Sequence, residues 1–193
     1  AQDTVEPRMG EDNWRYVVND FALQPMKPTM DGEPSYENIP HGLHDSLAAR
    51  WTAADVRRYA YWSLFAGGAG FTYGENSVMQ FKTSWNKDIS FGPIKTWKDE
   101  MTATGATQMQ FAKKLMTSRT MFNRSSAQDL VVNQGERYNY LPALQVKGAI
   151  YVYTYTGKNI ELNLARYAGK KVKSAWYNPR NGEYIAIESF TAK

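Results

Sequence analysis

The stretch from Thr52 to Gly74, TAADVRRYAYWSLFAGGAGFTYG, predicts a helix followed directly by a strand. Thr52 and Asp55 have the spacing of a capping box, in which a hydroxyl and a carboxylate satisfy free amides of a helix's first turn. Four residues then recur at helical spacing on one face: Val56, Tyr59, Ala60 and Ser63. The glycine run that follows ends a helix and enters a strand. A phosphate loop has the opposite order, so we interpret the run as a helix C-cap with close packing.

Outward from this stretch, the first 120 residues alternate between helical and short extended patterns. Helical spacing also relates Trp14 to Phe21, with Pro25 preventing continuation, and Met109 to Met116. An extended piece, Lys27 to Pro34, lies between the first two helices. The predicted order is therefore helix, strand, helix, strand, helix, which is typical of an α/β protein.

From about Leu130 the pattern changes to a period of two. Five short β-prone runs, separated by turn sequences, follow one another: Pro142 to Val146, Ala149 to Tyr155, Asn159 to Leu164, Lys171 to Tyr177 and Glu183 to Glu188. This spacing predicts a small antiparallel β-sandwich. We place the boundary between Arg119 and Asp129, which gives an α/β part, residues 1–122, and an all-β part, residues 123–193.

Composition excludes several classes of protein. The chain has 193 residues, a formal net charge of +4 and no Cys, and it is neither disordered nor a disulfide scaffold. Its Lys and Arg are dispersed, which argues against a nucleic-acid partner. No window predicts a membrane span, and the first ten residues lack a signal-peptide pattern. The length falls short of the roughly 250 residues of a complete eight-fold (β/α) barrel.

The densest group of chemically capable residues begins with Asp31 and Glu33. On one strand these carboxyls would share a face, about 6.7 Å apart. Glycosidases place two carboxyls about 5 to 5.5 Å apart for retention and about 6.5 to 9.5 Å apart for inversion. Pro34 redirects the chain directly after Glu33. The alternative, which spacing alone favours, is a loop whose acids cap helices or face water.

His41 and His44 raise the possibility of a metal site with Glu37 or Asp45. They lie in an apparent loop, they are the two His of the chain, and no Cys supports them. We therefore predict no metal and no cofactor, and we interpret His41 as a side chain at the rim of a carboxylate site. The aromatic segment after Tyr73 is either core or a sugar-stacking surface; its members are Asn76, Gln80, Phe81, Trp85, Phe91 and Trp97.

Several motifs together resemble one family, the apiosidase-like glycoside hydrolases. They are Glu11 to Tyr16, Lys27 to Glu37, Asn38 to His44, Asp55 to Trp62 and Phe71 to Asn76. The tail, with Ala149 to Gly157 and Val172 to Gly182, resembles the small β-sandwich that follows the (β/α)₈ barrel of that family and is named for collagen binding. This resemblance implies the C-terminal portion of a TIM barrel followed by a β-sandwich. The chain is expected to be a fragment.

The resemblance also implies roles for particular residues. It places Asp31 to Glu33 at the end of the seventh barrel strand and makes Glu33 the nucleophile, while the acid/base belongs to the fourth strand, upstream of this chain. The implied substrate-binding side chains are Asp31, Tyr36, His41, Tyr73 and Asn76. Glu75 and Met79 depart from the family, which commonly has His and Trp there.

The expected function is retaining hydrolysis of O-glycosidic bonds in plant-type polysaccharide side chains. The expected partners are the carbohydrate and the upstream half of the same barrel, and the expected location is the periplasm, cell surface or exterior of a bacterium. Two alternatives stay open: an inert fragment, or a carbohydrate- or protein-binding module, suggested by the alternating rings of Tyr151, Tyr153 and Tyr155.

Overall fold

The computed structural model describes residues 10, 12–86, 89–120 and 122–193. Glu11, which opens the first motif, and residues 1–9 lie outside the described residues. The α-helices are α1 (Asn13–Phe21), α2 (Ala53–Phe65), α3 (Asn76–Met79), α4 (Trp97–Glu100) and α5 (Thr104–Thr117). The strands are β1 (Met30–Asp31), β2 (Gly70–Phe71), β3 (Ser125–Ser126), β4 (Ala143–Val146), β5 (Ala149–Val152), β6 (Lys171–Tyr177) and β7 (Tyr184–Thr191).

Helix α2 forms as the sequence predicts. The Thr52 hydroxyl accepts a hydrogen bond from the Asp55 amide, and the Asp55 carboxylate accepts one from the Thr52 amide at 2.9 Å. The helix ends in the glycine run, where the Gly68 amide donates to the Ser63 carbonyl at 2.9 Å. A β-carbon at Gly68 would lie 2.7 Å from that carbonyl oxygen, so close packing requires glycine there.

Strands β1 and β2 pair in parallel, with Met30 opposite Gly70 and Asp31 opposite Phe71. Helices α1 and α5 pack on α2, so the predicted order of helix, strand, helix, strand, helix is confirmed. The short helices α3 and α4 are additional to that order. Parallel pairing brings the carboxyl ends of β1 and β2 to one edge, where the two long connections of this part begin.

The last third contains a three-stranded antiparallel sheet, in the order β3-β4-β5, and the β6-β7 ribbon. The strand predicted over Asn159 to Leu164 does not form; Leu162 makes only an isolated bridge to Val131. The side chain of Asn133 takes two of the backbone groups of this segment. Its Nδ2 donates to the Asn159 carbonyl at 2.8 Å, and its Oδ1 accepts from the Glu161 amide at 3.0 Å. Those backbone groups are therefore satisfied without a neighbouring strand.

The alternating tyrosines of the β-rich part pack against α2 and do not form an exposed face. Tyr153 is buried and stacks on Tyr61, with ring centroids 4.9 Å apart. Tyr151 stacks on Phe65 at 5.9 Å. Burial raises the pKa of Tyr153 to about 12. These contacts remove the observation that suggested a separate binding module and make the rings part of the main core.

A buried cation completes this packing. Arg58 is 1% exposed, and its guanidinium carbon lies 4.8 to 5.2 Å from the centroids of four rings: Tyr59, Trp62, Tyr138 and Tyr155. Two of the rings belong to α2 and two to the β-rich part. Cation–π attraction of a guanidinium with several rings favours Arg over Lys here and joins the two parts of the chain.

We expect Tyr153→Ala to lower the free energy of unfolding by about 3 kcal/mol, because it leaves a cavity against Tyr61. Urea denaturation followed by tryptophan fluorescence measures the change. Tyr184→Ala is the control, since Tyr184 is 62% exposed on the ribbon and should cost less than about 0.5 kcal/mol. Equal, small effects of the two substitutions would show that the Tyr153 ring does not join the two parts.

Candidate active site

Glu33 lies two residues beyond the end of β1, in a bend at the carboxyl edge of the parallel pair. Its side chain is exposed, and no hydrogen bond or ion pair joins it to the described part of the chain. A carboxylate with no internal partner at this edge has both oxygens available for a ligand.

Asp31 does not share a face with Glu33 in the way that the strand spacing suggested. The Asp31 carboxylate accepts hydrogen bonds from the Ser63 hydroxyl at 2.5 Å and from the Asn13 amide at 3.2 Å. It therefore points toward α1 and α2, while Glu33 lies past the strand end, where the alternation of the strand no longer applies. Asp31 holds β1 against the two helices, a position that the sequence pattern did not predict.

A cavity of about 310 Å³ lies beside the end of β2. Its walls are formed by Tyr36, Tyr73, Gly74, Glu75, Val78, Met79, Glu100, Met101 and Ala106. Two of the predicted substrate-binding residues, Tyr36 and Tyr73, thus line one cavity. A β-carbon at Gly74 would lie 2.5 Å from the Tyr36 ring, so the absence of a side chain lets this ring lie on the backbone after β2.

Glu37 is a central residue of the site that sequence reasoning considered only as a metal ligand. It is buried, and its Oε2 accepts hydrogen bonds from the Tyr73 hydroxyl at 2.6 Å and from the Gly105 amide at 2.9 Å. Gly105 lies in the first turn of α5, where a carboxylate also interacts favourably with the helix dipole. Burial, together with the bond to Glu37, raises the pKa of Tyr73. Tyr73 is therefore fixed as a neutral hydrogen-bond donor.

Two further buried carboxyls, Glu75 and Glu100, belong to the cavity wall. Glu75 accepts bonds from the Val78 amide at 2.9 Å, as N-cap of α3, and from the Asn38 side chain at 3.1 Å. The Nζ of Lys95 lies 2.6 Å from Glu100. Burial raises the pKa of Glu75, and the nearby charge of Glu100 adds to the rise. The sequence singled out Glu75 only as a departure from the family.

The other three predicted substrate-binding residues, Asp31, His41 and Asn76, lie outside the cavity lining. Asn76 is fully buried, and its amide donates to the carbonyls of Asn38 at 3.1 Å and Phe91 at 2.9 Å, which ties two loops together. The ring of His41 packs on Trp51 with centroids 4.2 Å apart. Asn76 therefore joins two loops, and these long-range contacts cannot be read from the local spacing of residues in the sequence.

The described ranges contain no cluster of three His, Asp or Glu side chains of the kind that binds a metal ion. None of the helices that the structure describes combines the length and apolar composition needed to cross a bilayer.

Comparison with known proteins gives two family matches. A profile described as "Apiosidase-like, catalytic domain" matches residues 2–123, and one described as "Putative collagen-binding domain of a collagenase" matches residues 126–193. No curated protein matches the chain.

Two solved structures are similar over nearly all of this chain. One, titled glycoside hydrolase, is 42% identical with a TM-score of 0.90, and the match covers 94% of this chain and 41% of that one. The other, a glycoside hydrolase family 5 protein from Bacteroides vulgatus ATCC 8482, is 40% identical with a TM-score of 0.90 and coverages of 95% and 40%. The chain therefore spans about two fifths of the length of these structures.

These similarities define the class of the protein as that of the glycoside hydrolases. The catalytic-domain profile covers more than half of the chain, so the chain belongs to the apiosidase-like family. The resemblance inferred from its sequence motifs is confirmed.

The raised pKa of Glu75 predicts a pH dependence of stability. Because the folded state binds this proton more tightly than the unfolded state, the stabilisation from protonated Glu75 is complete below the unfolded pKa. It is lost as the pH rises through the folded pKa. We expect the free energy of unfolding of the wild type, relative to Glu75→Gln, to fall as the pH rises from about 4. Urea denaturation of both proteins from pH 4 to 7 measures this difference, and parallel curves would contradict it.

Proposed function

We propose that the chain supplies the closing part of a (β/α)₈ glycoside hydrolase barrel, residues 1–122, followed by a small β-sandwich domain, residues 123–193. The two family matches support this division, since they meet between residues 123 and 126. The parallel β1-β2 pair, with a helix after each strand, has the arrangement of two consecutive barrel units. In such barrels the catalytic residues follow the carboxyl ends of the strands.

The observation that carries the catalytic proposal is the position of Glu33. It lies immediately past the carboxyl end of β1, exposed and free of internal bonds, and three residues before Tyr36 of the cavity wall. The carboxyls that line the cavity or bond to its wall are already engaged: Glu37 with Tyr73, Glu75 with Val78, and Glu100 with Lys95. Glu33 is therefore the carboxylate best suited to act as a nucleophile.

The reaction that fits this role is a retaining double displacement. A Glu33 oxygen attacks the anomeric carbon while a carboxylic acid from the upstream part of the barrel protonates the leaving glycosidic oxygen. The resulting glycosyl ester is then attacked by water, which gives its proton to the same upstream carboxylate as the bond to Glu33 breaks. The engaged carboxylates and Tyr73 offer hydrogen-bonding groups for sugar hydroxyls.

We propose side chains of plant-type polysaccharides as the substrate. The family name supports a side-chain sugar, and a cavity of about 310 Å³ suits a small terminal residue better than a polymer backbone. Because polysaccharides do not cross a bacterial inner membrane, an enzyme with this substrate acts in the periplasm, at the cell surface or outside the cell.

Replacing the nucleophile tests the mechanism. In the protein that includes its upstream barrel half, we expect Glu33→Gln to lower kcat on an aryl glycoside by at least about a thousandfold, since the covalent step is lost. The melting temperature should not change, because the side chain is exposed and unbonded. Initial rates and thermal denaturation measure the two quantities.

The matched control is Glu136→Gln, which changes an exposed carboxylate of the β-rich part and should leave kcat unchanged. Azide should restore turnover to Glu33→Ala and give a glycosyl azide of inverted configuration, because the small anion replaces the missing nucleophile. Near-normal hydrolysis by Glu33→Gln would show that another residue is the nucleophile.

A second cavity supports a contact with the upstream half at this face of the sheet. It measures about 400 Å³ and lies between β2 and α5, lined mainly by apolar side chains: Ala60, Leu64, Ala69, Phe71, Tyr73, Met109, Ala112 and Met116. Within the described residues the β1-β2 sheet has no third strand. An open two-stranded sheet beside an apolar groove is the edge at which the remaining strands of a barrel would close.

If the upstream half closes this edge, its presence should protect the groove. We expect amide hydrogen exchange of residues 69–73 to slow by at least about tenfold when the chain is joined to that half. Residues 143–146 of the internal β4 strand serve as the control and should change little. Equal exchange of residues 69–73 in both forms would contradict closure at β2.

A further inference from the structure

The connection from β2 to α5 carries two large aromatic side chains in water. Phe81 is 68% exposed and Trp85 is 78% exposed. The connection starts at the carboxyl end of β2, which is the same edge at which Glu33 follows β1. Helix α3 leads from the cavity wall, where Val78 and Met79 lie, directly to Phe81. Phe81 thus follows the cavity wall directly along the chain, and Trp85 lies four residues further on.

The backbone at Phe81 is held in a conformation that normally selects glycine. Its φ is +48°, and it occupies the position after the C-cap of α3. The Lys82 amide donates to the Ser77 carbonyl at 2.9 Å, and the Phe81 amide to the Val78 carbonyl at 3.2 Å, which is the bond pattern of a Schellman motif. A bulky residue is strained there, and its exposed ring gains little from burial. Strain of this kind, without compensating packing, concentrates at functional sites.

The Phe81 ring and the turn that carries Trp85 are also held in place. The edge of Phe81 meets Trp97 with centroids 5.9 Å apart, and the Trp97 amide donates to the Lys82 carbonyl at 2.8 Å. Trp85 lies between Thr83 and Asn86, whose side chains and amides bond reciprocally at 2.7 and 3.3 Å. An aromatic ring presented to water on a hydrogen-bonded turn binds with little loss of conformational entropy.

We infer that Phe81 and Trp85 form an aromatic platform on which sugar rings of a polysaccharide stack beyond the cavity. The inference rests on the proposed function and adds to it, because it makes the substrate a polymer that is held at several residues. The apolar faces of pyranose rings suit exposed aromatics, and the hydroxyls of Thr83 and Ser84 and the amide of Asn86 flank them. The platform extends the site along the β2-α5 connection.

Binding of polysaccharides separates the platform from catalysis. In full-length protein carrying Glu33→Gln, so that the polymer is not cleaved, affinity electrophoresis in gels containing soluble pectin, arabinoxylan or arabinan measures retardation. We expect at least one polymer to retard this parent. Adding Phe81→Gly or Trp85→Ala should weaken its binding at least about fivefold, the loss of one aromatic contact. Phe122→Ala, which removes an 80% exposed ring elsewhere, should bind like the parent.

Thermal denaturation excludes a merely structural role. Because glycine adopts positive φ without strain, Phe81→Gly should leave the melting temperature unchanged or raise it while binding falls. Unchanged binding of both variants would overturn the platform. So would a fall of more than about 5 °C for Phe81→Gly with binding retained, because another part of the protein would then cover the ring.

A separate assay distinguishes failure of the platform from failure of the proposed function. Hydrolysis of a short aryl glycoside by protein with Glu33 intact depends on the nucleophile and not on Phe81 or Trp85. If the aryl glycoside is hydrolysed but none of the three polymers retards the parent, the platform is overturned and the proposed function is not. If retardation depends on both rings, the platform is supported. If the Glu33→Gln variant also hydrolyses the aryl glycoside normally, the role of Glu33 is refuted while the platform stands.

Discussion

The packing of α2 is the constraint on which the rest of this structure depends. One side of the helix supports the parallel strands and α5, and the other receives the rings of the β-rich part. A helix buried in this way needs an apolar surface all round, and α2 supplies it with Tyr61, Trp62, Leu64 and Phe65. Its buried charge, Arg58, lies 3.5 Å from the Asp55 carboxylate and is surrounded by rings from both sides. Moving the β-rich part away would remove the rings of Tyr138 and Tyr155 and their cation–π attraction to this guanidinium.

Because α2 is fixed, the carboxyl edge of the sheet is fixed too. Asp31 bonds to Ser63 of α2 and holds β1, and Glu37 bonds to Gly105 of α5 and to Tyr73 after β2. These acids position the connections, whereas Glu33 makes no hydrogen bond or ion pair with the part of the chain that the structure describes.

Most of the α/β order could be predicted from the sequence because its signals are local. The Thr52 and Asp55 cap, the face of α2 and the glycine run each depend on residues within a few positions of one another. The strand predicted at Asn159 to Leu164 was wrong, and a distant side chain, Asn133, takes the Asn159 carbonyl and the Glu161 amide of that segment. The position of Asn76 also depends on long-range contacts. Its side-chain amide bonds to carbonyls of two loops, which a local pattern cannot show.

By itself the sequence determined the family, the alternation of helices and strands, and the carboxylate that follows β1. These follow from long motif strings and from hydrophobic periodicity, which survive without coordinates. Only the tertiary structure decided which acids are structural, that the alternating tyrosines pack inward, and that Tyr36 and Tyr73 meet in one cavity. Periodicity states which side of an element a residue occupies, whereas burial and hydrogen bonding depend on what another element places opposite it.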